Sequence, residues 1–214
     1  MECIVSVKYA GLVVFAYLLG SIPWGVVLTR RYTAVDVRQA GSKNIGATNV
    51  LRTAGLGLGI LTLIGDLSKG ALPVWLAVKM IGHPESLNAV FVSAVALGAF
   101  AGHLYPVYLK FTTGGKGVAT AAGCFLIISP GATGIVLLIF ILFAGVANRV
   151  SVGSLVAVAA LAPAVWWETN TVTFTACALV MAVFIFVRHR ENIRRLISGT
   201  EPAIWGKKAK QRQG

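Results

Sequence analysis

The chain has few charged side chains. Asp, Glu, Lys and Arg make up 12% of its 214 residues, hydrophobic residues make up 57%, and the mean hydropathy is +0.80. In soluble domains about a quarter of the residues are charged. Because a membrane-spanning helix needs ~20 mostly apolar residues, there is room for several spans but not for a separate soluble domain. The composition predicts an all-α integral membrane protein.

Cysteine is also scarce. The three cysteines are Cys3, Cys124 and Cys177; the last two lie in apolar runs, and neither a CxxC motif nor a Cys/His spacing occurs. We interpret them as small buried hydrophobic residues. We therefore expect no disulfide, no metal site and no cofactor.

Acidic residues are few, with 7 Asp and Glu against 19 Lys and Arg, and the net charge is +12. Such an excess could indicate nucleic acid, but 13 of the 19 basic residues lie in two polar regions of the chain. These are Arg30, Arg31, Arg38, Lys43 and Arg52, and then Arg188, Arg190, Arg194, Arg195, Lys207, Lys208, Lys210 and Arg212. The positive-inside rule explains such clusters, and anionic lipid attracts them. We expect membrane lipid and not nucleic acid as the partner.

The apolar residues form seven segments. They are Tyr9–Thr29, Leu58–Ile81, Leu87–Leu109, Val118–Ser129, Gly131–Ala147, Val152–Trp167 and Thr171–Val187. The first lacks a convincing cleavage site and is interpreted as a retained helix. Val118–Ser129 is short and precedes the turn signal Pro130-Gly131, so it is either a short tilted helix or half of a helical hairpin. We expect about seven transmembrane helices, some of them short.

The loops between these segments alternate in charge. Arg30–Gly57, Lys110–Lys116, Asn148–Ser151 and the C-terminal tail carry Lys or Arg, whereas Gly82–Ser86, Ser129–Gly131 and Glu168–Asn170 carry neither. This pattern predicts an N-terminus outside and a C-terminus in the cytoplasm. We expect one polytopic domain over residues 1–201, followed by a basic tail over residues 202–214.

A glycine-rich loop in GHLYPVYLKFTTGGKGVAT, residues Gly102–Thr120, is the most informative stretch. Gly114, Gly115 and Gly117 surround Lys116 just before an apolar segment. Backbone N–H groups and a lysine at the start of a helix are suited to holding a phosphate. A glycine follows the lysine, so this is not a Walker loop, and a phosphate without a required metal is the simpler interpretation. Lys116 alone could instead be a positive-inside anchor.

A second polar segment, GSKNIGATN, is followed by Arg52, which should lie one to two turns into the next helix. Its short polar side chains are Ser42, Asn44, Thr48 and Asn49. Such a loop could wrap a polyol phosphate, with the arginine on the phosphate. The alternative is a helix cap with turn residues.

The third polar segment, RHRENIRR, places His189 and Asn192 on one helical face. Its arginines could simply anchor lipid headgroups. An intramembrane Asp66 is costly if unpaired, and Lys69, one turn on, is its natural partner. His103, a lone histidine near the end of a segment, could cap or bridge helices.

Several catalytic patterns are missing. The sequence contains no GxSxG, no HExxH, no obvious Ser–His–Asp set and no H-x4-D pattern. An acyltransferase built on this chain would need a different mechanism from the widespread glycerolipid acyltransferases.

Three segments, GSKNIGATN, GHLYPVYLKFTTGGKGVAT and RHRENIRRL, resemble the signature motifs of the bacterial acylphosphate-dependent glycerol-3-phosphate acyltransferases, the PlsY family. The resemblance extends to about Glu201. It implies a multi-pass enzyme of the bacterial inner membrane with its active site facing the cytoplasm. Such an enzyme moves a fatty acyl group from acyl phosphate to the 1-position of sn-glycerol 3-phosphate, and a separate soluble enzyme makes the acyl phosphate.

The resemblance also implies residue roles. Catalysis would fall to Ser42, Arg52, Lys116, His189 and Asn192. Substrate and phosphate binding would fall to Asn44, Thr48, Asn49, His103, Gly114, Gly115 and Gly117, with Asp66 and Lys69 as structural support. The base that takes the hydroxyl proton would be either the substrate's own phosphate or His189.

Two other functions fit part of the sequence. A small transporter for an anionic metabolite would explain the short helices, but the polar motifs lie on one predicted side of the membrane. A membrane adaptor with a basic tail would leave the glycine–lysine loop unexplained.

Overall fold

The computed structural model describes residues 2–81 and 86–205, and these residues contain ten α-helices and no strand. The helices are α1 Glu2–Gly20, α2 Trp24–Tyr32, α3 Ala47–Ala54, α4 Leu56–Ile81, α5 Ser86–Leu104, α6 Val118–Ile128, α7 Pro130–Ala147, α8 Val150–Thr169, α9 Val172–Arg188 and α10 Arg190–Ile197. The prediction of an all-α protein is confirmed. Positions 82–85 of a predicted loop, the side chain of Cys3, and Lys207, Lys208, Lys210 and Arg212 lie outside the described residues.

The helices follow the seven apolar segments, but they do not all have the length of a span. Within the described residues, α4, α5 with the turn after it, α7 and α8 are long and apolar enough to cross a membrane. Two further candidates are bent pairs: α1 with α2, bent by 41°, and α9 with α10, bent by 57°. Helix α6 is apolar but short. The described helices thus provide four to six spans, and the seventh span and the orientation stay predictions.

The first apolar segment is broken, which corrects the prediction of one helix over Tyr9–Thr29. Helix α1 ends at Gly20 and α2 begins at Trp24. Pro23 causes the break, because proline lacks an N–H and disfavours helical geometry in the residue before it. The Lys69 ammonium donates to the Ile22 carbonyl at 2.9 Å. Non-helical backbone within the fold therefore has a hydrogen-bond partner, as a membrane interior requires.

Helices α4 and α6 approach each other closely. A Cβ atom added at Gly70 would lie 2.2 Å from the Thr120 carbonyl oxygen, and one added at Gly123 would lie 2.1 Å from that of Leu67. Small residues allow membrane helices to pack backbone against backbone. This contact fixes the start of α6, and with it the loop that carries Lys116.

The core and the outer surface are both apolar. Buried side chains of α1 and of α4 to α9 form one cluster, which includes Cys124 and Cys177 as free thiols. Helix α7 contributes only Ala132 to it and is otherwise largely exposed, since Leu138 is 68% and Val146 is 80% exposed. Apolar exposure on this scale suits lipid and not water. The protein is an integral membrane protein.

The two loops without Lys or Arg that the structure describes, Ser129–Gly131 and Glu168–Asn170, meet at one end of the bundle. The Glu168 carboxylate accepts hydrogen bonds from the Ser129 hydroxyl and from the backbone N–H groups of Gly131, at 3.1 Å, and Ala132, at 2.6 Å. It thereby caps the N-terminus of α7, where a negative charge is favourable. The basic loops gather elsewhere, around Arg52, Lys116, Arg149 and Arg195.

Candidate active site

Four basic side chains from four separate parts of the chain come together around a single carboxylate. Arg52 lies on α3, Lys116 in the loop before α6, Arg149 at the N-cap of α8, and Arg195 on α10. Lys116 experiences the charges of Glu201, Arg195 and Arg52, and Arg52 those of Glu201, Arg195 and Arg149. We call these five residues the basic cluster. All three motifs singled out in the sequence contribute to it or lie beside it.

Lys116 is half-buried and has no counter-ion. Among the described residues no carboxylate lies within 4 Å of its ammonium group. Burial, and then the positive charges of Arg195 and Arg52, lower the pKa of Lys116 to about 8, although the charge of Glu201 opposes the shift. A lysine in such a position gains from an anionic ligand, which would supply the missing opposite charge.

The glycines around Lys116 are required by packing. A Cβ atom at Gly114 would lie 1.7 Å from the Leu104 carbonyl oxygen, and one at Gly115 would lie 2.0 Å from His103 Nε2. Gly117 has a φ of +87°, a left-handed conformation that favours glycine. The loop therefore lies flat against the end of α5, a constraint that the sequence did not reveal.

One N–H group of the glycine-rich loop already has a partner within the protein. The Gly115 N–H donates to the His103 carbonyl at 3.1 Å and is therefore already used within the protein. Among the described residues no such bond engages the N–H of Gly114 or Gly117. Those two N–H groups stay candidates for phosphate binding.

His103 belongs to a buried polar chain beneath the loop, and this placement does not fit the predicted role in phosphate binding. The Asp66 carboxylate lies 2.8 Å from the Lys69 ammonium and 3.6 Å from His103 Nδ1, and all three side chains are buried. The expected pairing of Asp66 with Lys69 is present. Because His103 packs against Gly115, its role is to support the loop.

Asn49 organises the first motif from within. Its amide donates to the carbonyls of Val37, Ala40 and Asn44, and its oxygen accepts from the Ser42 N–H at 2.9 Å. Both amide N–H groups are therefore used inside the loop, and the oxygen accepts one bond there. In this structure Asn49 shapes the loop, and its predicted substrate contact stays a prediction.

The remaining residues of the first motif lie near the start of α3. The Asn44 side chain accepts from the Gly46 N–H at 2.8 Å, which closes a turn before the helix. Arg52 lies on α3 one turn after Thr48, as the spacing predicted, and donates to the Pro202 carbonyl at 3.3 Å. Ser42 is exposed, and among the described hydrogen bonds none engages its hydroxyl. The structure brings Arg52 to the cluster, and among the described hydrogen bonds none joins it to Ser42.

The third motif begins where the last span ends. His189 lies between α9 and α10, is 2% exposed, and has Nδ1 at 2.8 Å from the Ile185 carbonyl. A carbonyl can only accept, so Nδ1 carries the proton and Nε2 holds the free lone pair. Burial, and then the charge of Lys116, lower the pKa of His189 to about 4. The imidazole is therefore neutral near pH 7.

Sequence reasoning missed Arg149 and Glu201 as site residues, and for the arginines of the third motif, Arg195 among them, it offered lipid anchoring as an alternative. Glu201 accepts from the Asn192 amide and from Arg195 Nε, each at 2.7 Å. A cavity of about 230 Å³ is lined by Arg149, Arg195 and Glu201. For Glu201, the one signal in the sequence was a lone acidic residue just after a basic helix. Within residues 2–81 and 86–205 no three His, Cys, Asp or Glu side chains lie close enough together to hold a metal ion.

Comparison with known proteins places this geometry in a family. The glycerol-3-phosphate acyltransferase family model matches residues 10–199. The glycerol-3-phosphate acyltransferase of Syntrophotalea carbinolica is 49% identical over 186 residues, covering 87% of this chain and 92% of that protein. That of Geobacter sulfurreducens is 47% identical over the same shares of the two chains.

Two solved structures share the fold. The glycerol 3-phosphate form of PlsY (YgiH), an integral membrane glycerol 3-phosphate acyltransferase, superposes with a TM-score of 0.87 at 37% identity, covering 93% of this chain and 96% of that one. Its lysophosphatidic acid form gives a TM-score of 0.84 at 36% identity, covering 92% and 95%. The chain therefore belongs to the glycerol-3-phosphate acyltransferase family.

Proposed function

We propose that this protein transfers a fatty acyl group from acyl phosphate to the 1-position of sn-glycerol 3-phosphate, giving lysophosphatidic acid and inorganic phosphate. The observation that carries the proposal is the basic cluster, in which a half-buried lysine without a counter-ion stands among three arginines. The relatives' names supply the acceptor, and the two PlsY forms supply acceptor and product. Acyl phosphate as the donor is our addition, since neither these names nor these two structures state it.

Acyl phosphate is the donor that this site can best use. The acceptor hydroxyl attacks the acyl carbonyl carbon, a new C–O ester bond forms, and the bond from the carbonyl carbon to the phosphate oxygen breaks. Phosphate leaves with the bonding electrons and is stable in water. The protein therefore needs no covalent nucleophile and no strong acid. Lys116 and Arg52 serve by positioning both phosphates and by stabilising the negative charge that develops.

The hydroxyl proton goes to the phosphate of glycerol 3-phosphate itself. A phosphate monoester has a second pKa of about 6, so near pH 7 it is a competent proton acceptor. With a pKa of about 4, His189 is the weaker base of the two. Its Nε2 lone pair, together with Ser42 and Asn192, is left to orient the acceptor. This assigns substrate-assisted catalysis over His189 as base.

The acyl chain has an apolar place that leads to the site. A groove of about 380 Å³ runs between α8 and α9. It is lined by Val158, Ala159, Ala162, Leu179, Ala182, Val183, Phe186 and Val187. Val187 is two residues before His189, so the groove ends beside the third motif. A lipid-derived chain can enter such a groove from the bilayer, while glycerol 3-phosphate arrives from the water.

This arrangement suits the bacterial inner membrane with the site facing the cytoplasm. The four basic residues of the cluster come from the loops that the positive-inside rule assigns to that side. Both substrates are anionic, and the positive cluster would draw them to the interface. A separate soluble enzyme would supply the acyl phosphate.

The test uses purified protein in lipid with glycerol 3-phosphate and either palmitoyl phosphate or palmitoyl-CoA, without added metal. We expect lysophosphatidic acid and inorganic phosphate in equal amounts from palmitoyl phosphate alone. Product only from palmitoyl-CoA would overturn the donor but keep the acyltransferase. No product from either, together with uptake of labelled glycerol 3-phosphate into protein-only liposomes, would favour a transporter.

A further inference from the structure

We propose that Arg188 is a positioning residue of the site: it joins the end of α9 to the end of α5 and thereby sets the distance between Lys116 and His189. The proposal rests on the proposed function and deepens it, because both of these residues serve the same substrates. Arg188 acts through the backbone on which the glycine-rich loop rests, and not by touching a substrate.

The end of α5 leaves backbone carbonyl groups that need donors. The last four carbonyls of a helix have no partner within it, and the interior of a membrane supplies no water to replace one. The His103 carbonyl accepts from the Gly115 N–H at 3.1 Å, and the Leu104 carbonyl accepts from Arg188 Nη2. Helix α5 therefore ends on one donor from the glycine-rich loop and one from α9.

Arg188 is engaged with the protein and not with lipid. Its side chain is half-buried, and its guanidinium carbon lies 4.8 Å from the centre of the Tyr105 ring, within the range of a cation–π interaction. Within the part of the chain that the structure describes, no carboxylate lies within 4 Å of it. Its charge instead faces the carbonyl end of α5, where a positive charge is favourable. Arg190 and Arg194, by contrast, are each 74% exposed and pair with Glu191.

The carbonyl that Arg188 bonds also bears the glycine-rich loop. Leu104 is buried, and a Cβ atom added at Gly114 would lie 1.7 Å from the Leu104 carbonyl oxygen. The loop backbone and the guanidinium of Arg188 therefore meet at the same oxygen atom. Lys116 follows two residues after Gly114. A displacement of this carbonyl would thus pass directly to the backbone that carries Lys116.

The other end of the connection fixes His189. Arg188 is the last residue of α9, and His189 follows it at the bend into α10. The charge of Lys116 acts on His189, so the two side chains lie near each other in the site. One arginine therefore ties the backbone beneath Lys116 to the backbone beside His189.

The experiment compares Arg188→Gln with Arg190→Gln in lipid. Glutamine keeps a polar side chain but loses the charge and the reach of the guanidinium. The control removes an exposed arginine two residues away, which pairs with Glu191 on its own helix. Two quantities are measured: kcat/KM for glycerol 3-phosphate with palmitoyl phosphate as donor, and amide hydrogen exchange by mass spectrometry in peptides that cover residues 102–120. The second quantity does not depend on catalysis.

We expect Arg188→Gln to lower kcat/KM about 10²-fold, the scale of a misplacement of about 1 Å. Hydrogen exchange should become faster in residues 102–120, where the Gly115 N–H reports on the contact with α5, and should stay unchanged in α7 and α8. Arg190→Gln should change neither quantity. A wild-type value of either quantity in Arg188→Gln would overturn the proposal. Faster exchange throughout the chain would also overturn it, because Arg188 would then serve overall stability.

Arg188→Lys separates positioning from direct binding of a phosphate. Lysine keeps the positive charge and can donate to the Leu104 carbonyl, but it stacks less well on Tyr105. Loss of the cation–π contact corresponds to about fivefold in rate at most. Arg188→Lys should therefore recover most of the activity and the slow exchange of residues 102–120. A loss as large as that of Arg188→Gln would contradict the proposal, since it would mean that the site needs the guanidinium fork itself.

Failure of the proposed function gives a different pattern. The wild type would then make no lysophosphatidic acid, while exchange in residues 102–120 would still become faster in Arg188→Gln and not in Arg190→Gln. The connection between α5 and α9 would stand in that case, and only its service to acyl transfer would be lost. If exchange also stayed at the wild-type rate, the proposal would fail together with the proposed function.

Discussion

Replacing Lys116 by Met removes one charge from the basic cluster and leaves the packing nearly unchanged. Methionine has almost the length of the lysine stem and is uncharged. No carboxylate among the described residues pairs with Lys116, so its loss leaves no buried negative charge without a partner. We expect Lys116→Met to fold like the wild type and to lose most of its activity.

The size of the loss follows from the position of the charge. Lys116 is half-buried beside Arg52 and Arg195. Two unit charges about 4 Å apart interact by about 4 kcal/mol at an effective dielectric constant of about 20, which suits a site near the protein surface. Loss of this energy from the transition state lowers kcat/KM by about 10³-fold.

The assay is the formation of lysophosphatidic acid from palmitoyl phosphate and glycerol 3-phosphate in lipid. Lys110→Met is the matched control, because Lys110 lies on the same segment, is exposed, and has no place in the cluster. It should retain wild-type activity. A loss below tenfold in Lys116→Met, with Lys110→Met unchanged, would refute the assignment of Lys116 to phosphate.

The same residue gives a pH dependence. The pKa of Lys116 is lowered to about 8, so its charged form is present below that pH and is lost above it. We expect kcat/KM to fall above about pH 8, whereas an ordinary lysine would hold its charge to a much higher pH. Lys116→Arg keeps its charge throughout and should remove this limb, whatever activity it retains. A limb that persists in Lys116→Arg would belong to another group.

Three further predictions concern the loop, the base and the acyl chain. Gly115→Ala should destabilise the protein by about 1–3 kcal/mol and so lower the midpoint of thermal unfolding, because the new Cβ would lie 2.0 Å from His103 Nε2. Gly57→Ala should leave the midpoint unchanged, because a Cβ there would meet nothing within 4 Å. His189→Ala should keep the acidic limb of its pH–rate profile near pH 6, because that limb belongs to the substrate phosphate; its disappearance would make His189 the base. Ala159→Trp should narrow the groove between α8 and α9. We expect the rate with a sixteen-carbon donor to fall about tenfold more than the rate with an eight-carbon donor, which corresponds to the free energy of burying about two methylene groups. Equal losses with both donors would contradict the placement of the acyl chain in this groove.

Hydropathy alone located the apolar helices, because a bilayer imposes one strong rule on any segment of ~20 residues. It could not find α3 and α10, which lie in polar segments. Charge also grouped the basic loops, and the structure brings Arg52, Lys116, Arg149 and Arg195 to one cluster. What hydropathy could not supply was the break at Ser21–Pro23. Averaged over a window, that segment is as apolar as a continuous span, because one proline barely changes the average. Lys69, which donates to the Ile22 carbonyl in the break, is distant in sequence.

The site was only partly accessible from sequence for a similar reason. Residue type and local spacing predicted Lys116 and the face that carries His189 and Asn192. They could not tell that the Asn49 amide is used inside its own loop, or that the Gly115 N–H is taken by His103, because each depends on which backbone atom happens to lie opposite. Glu201 was missed because its partners become neighbours only after the chain turns back beyond α10.

The buried pair of Asp66 and Lys69 explains how such a site can be rigid at a membrane surface. Burying two charges is costly, and a salt bridge repays this only when its remaining hydrogen-bonding groups are also engaged. Here Lys69 also bonds the Ile22 carbonyl, in the break between α1 and α2, and Asp66 faces His103, which packs against Gly115. Both ends of the pair thus support backbone that has left the helical hydrogen-bonding pattern. Charges that would be a liability in an ordinary span hold in place the two irregular segments on which the Lys116 loop depends.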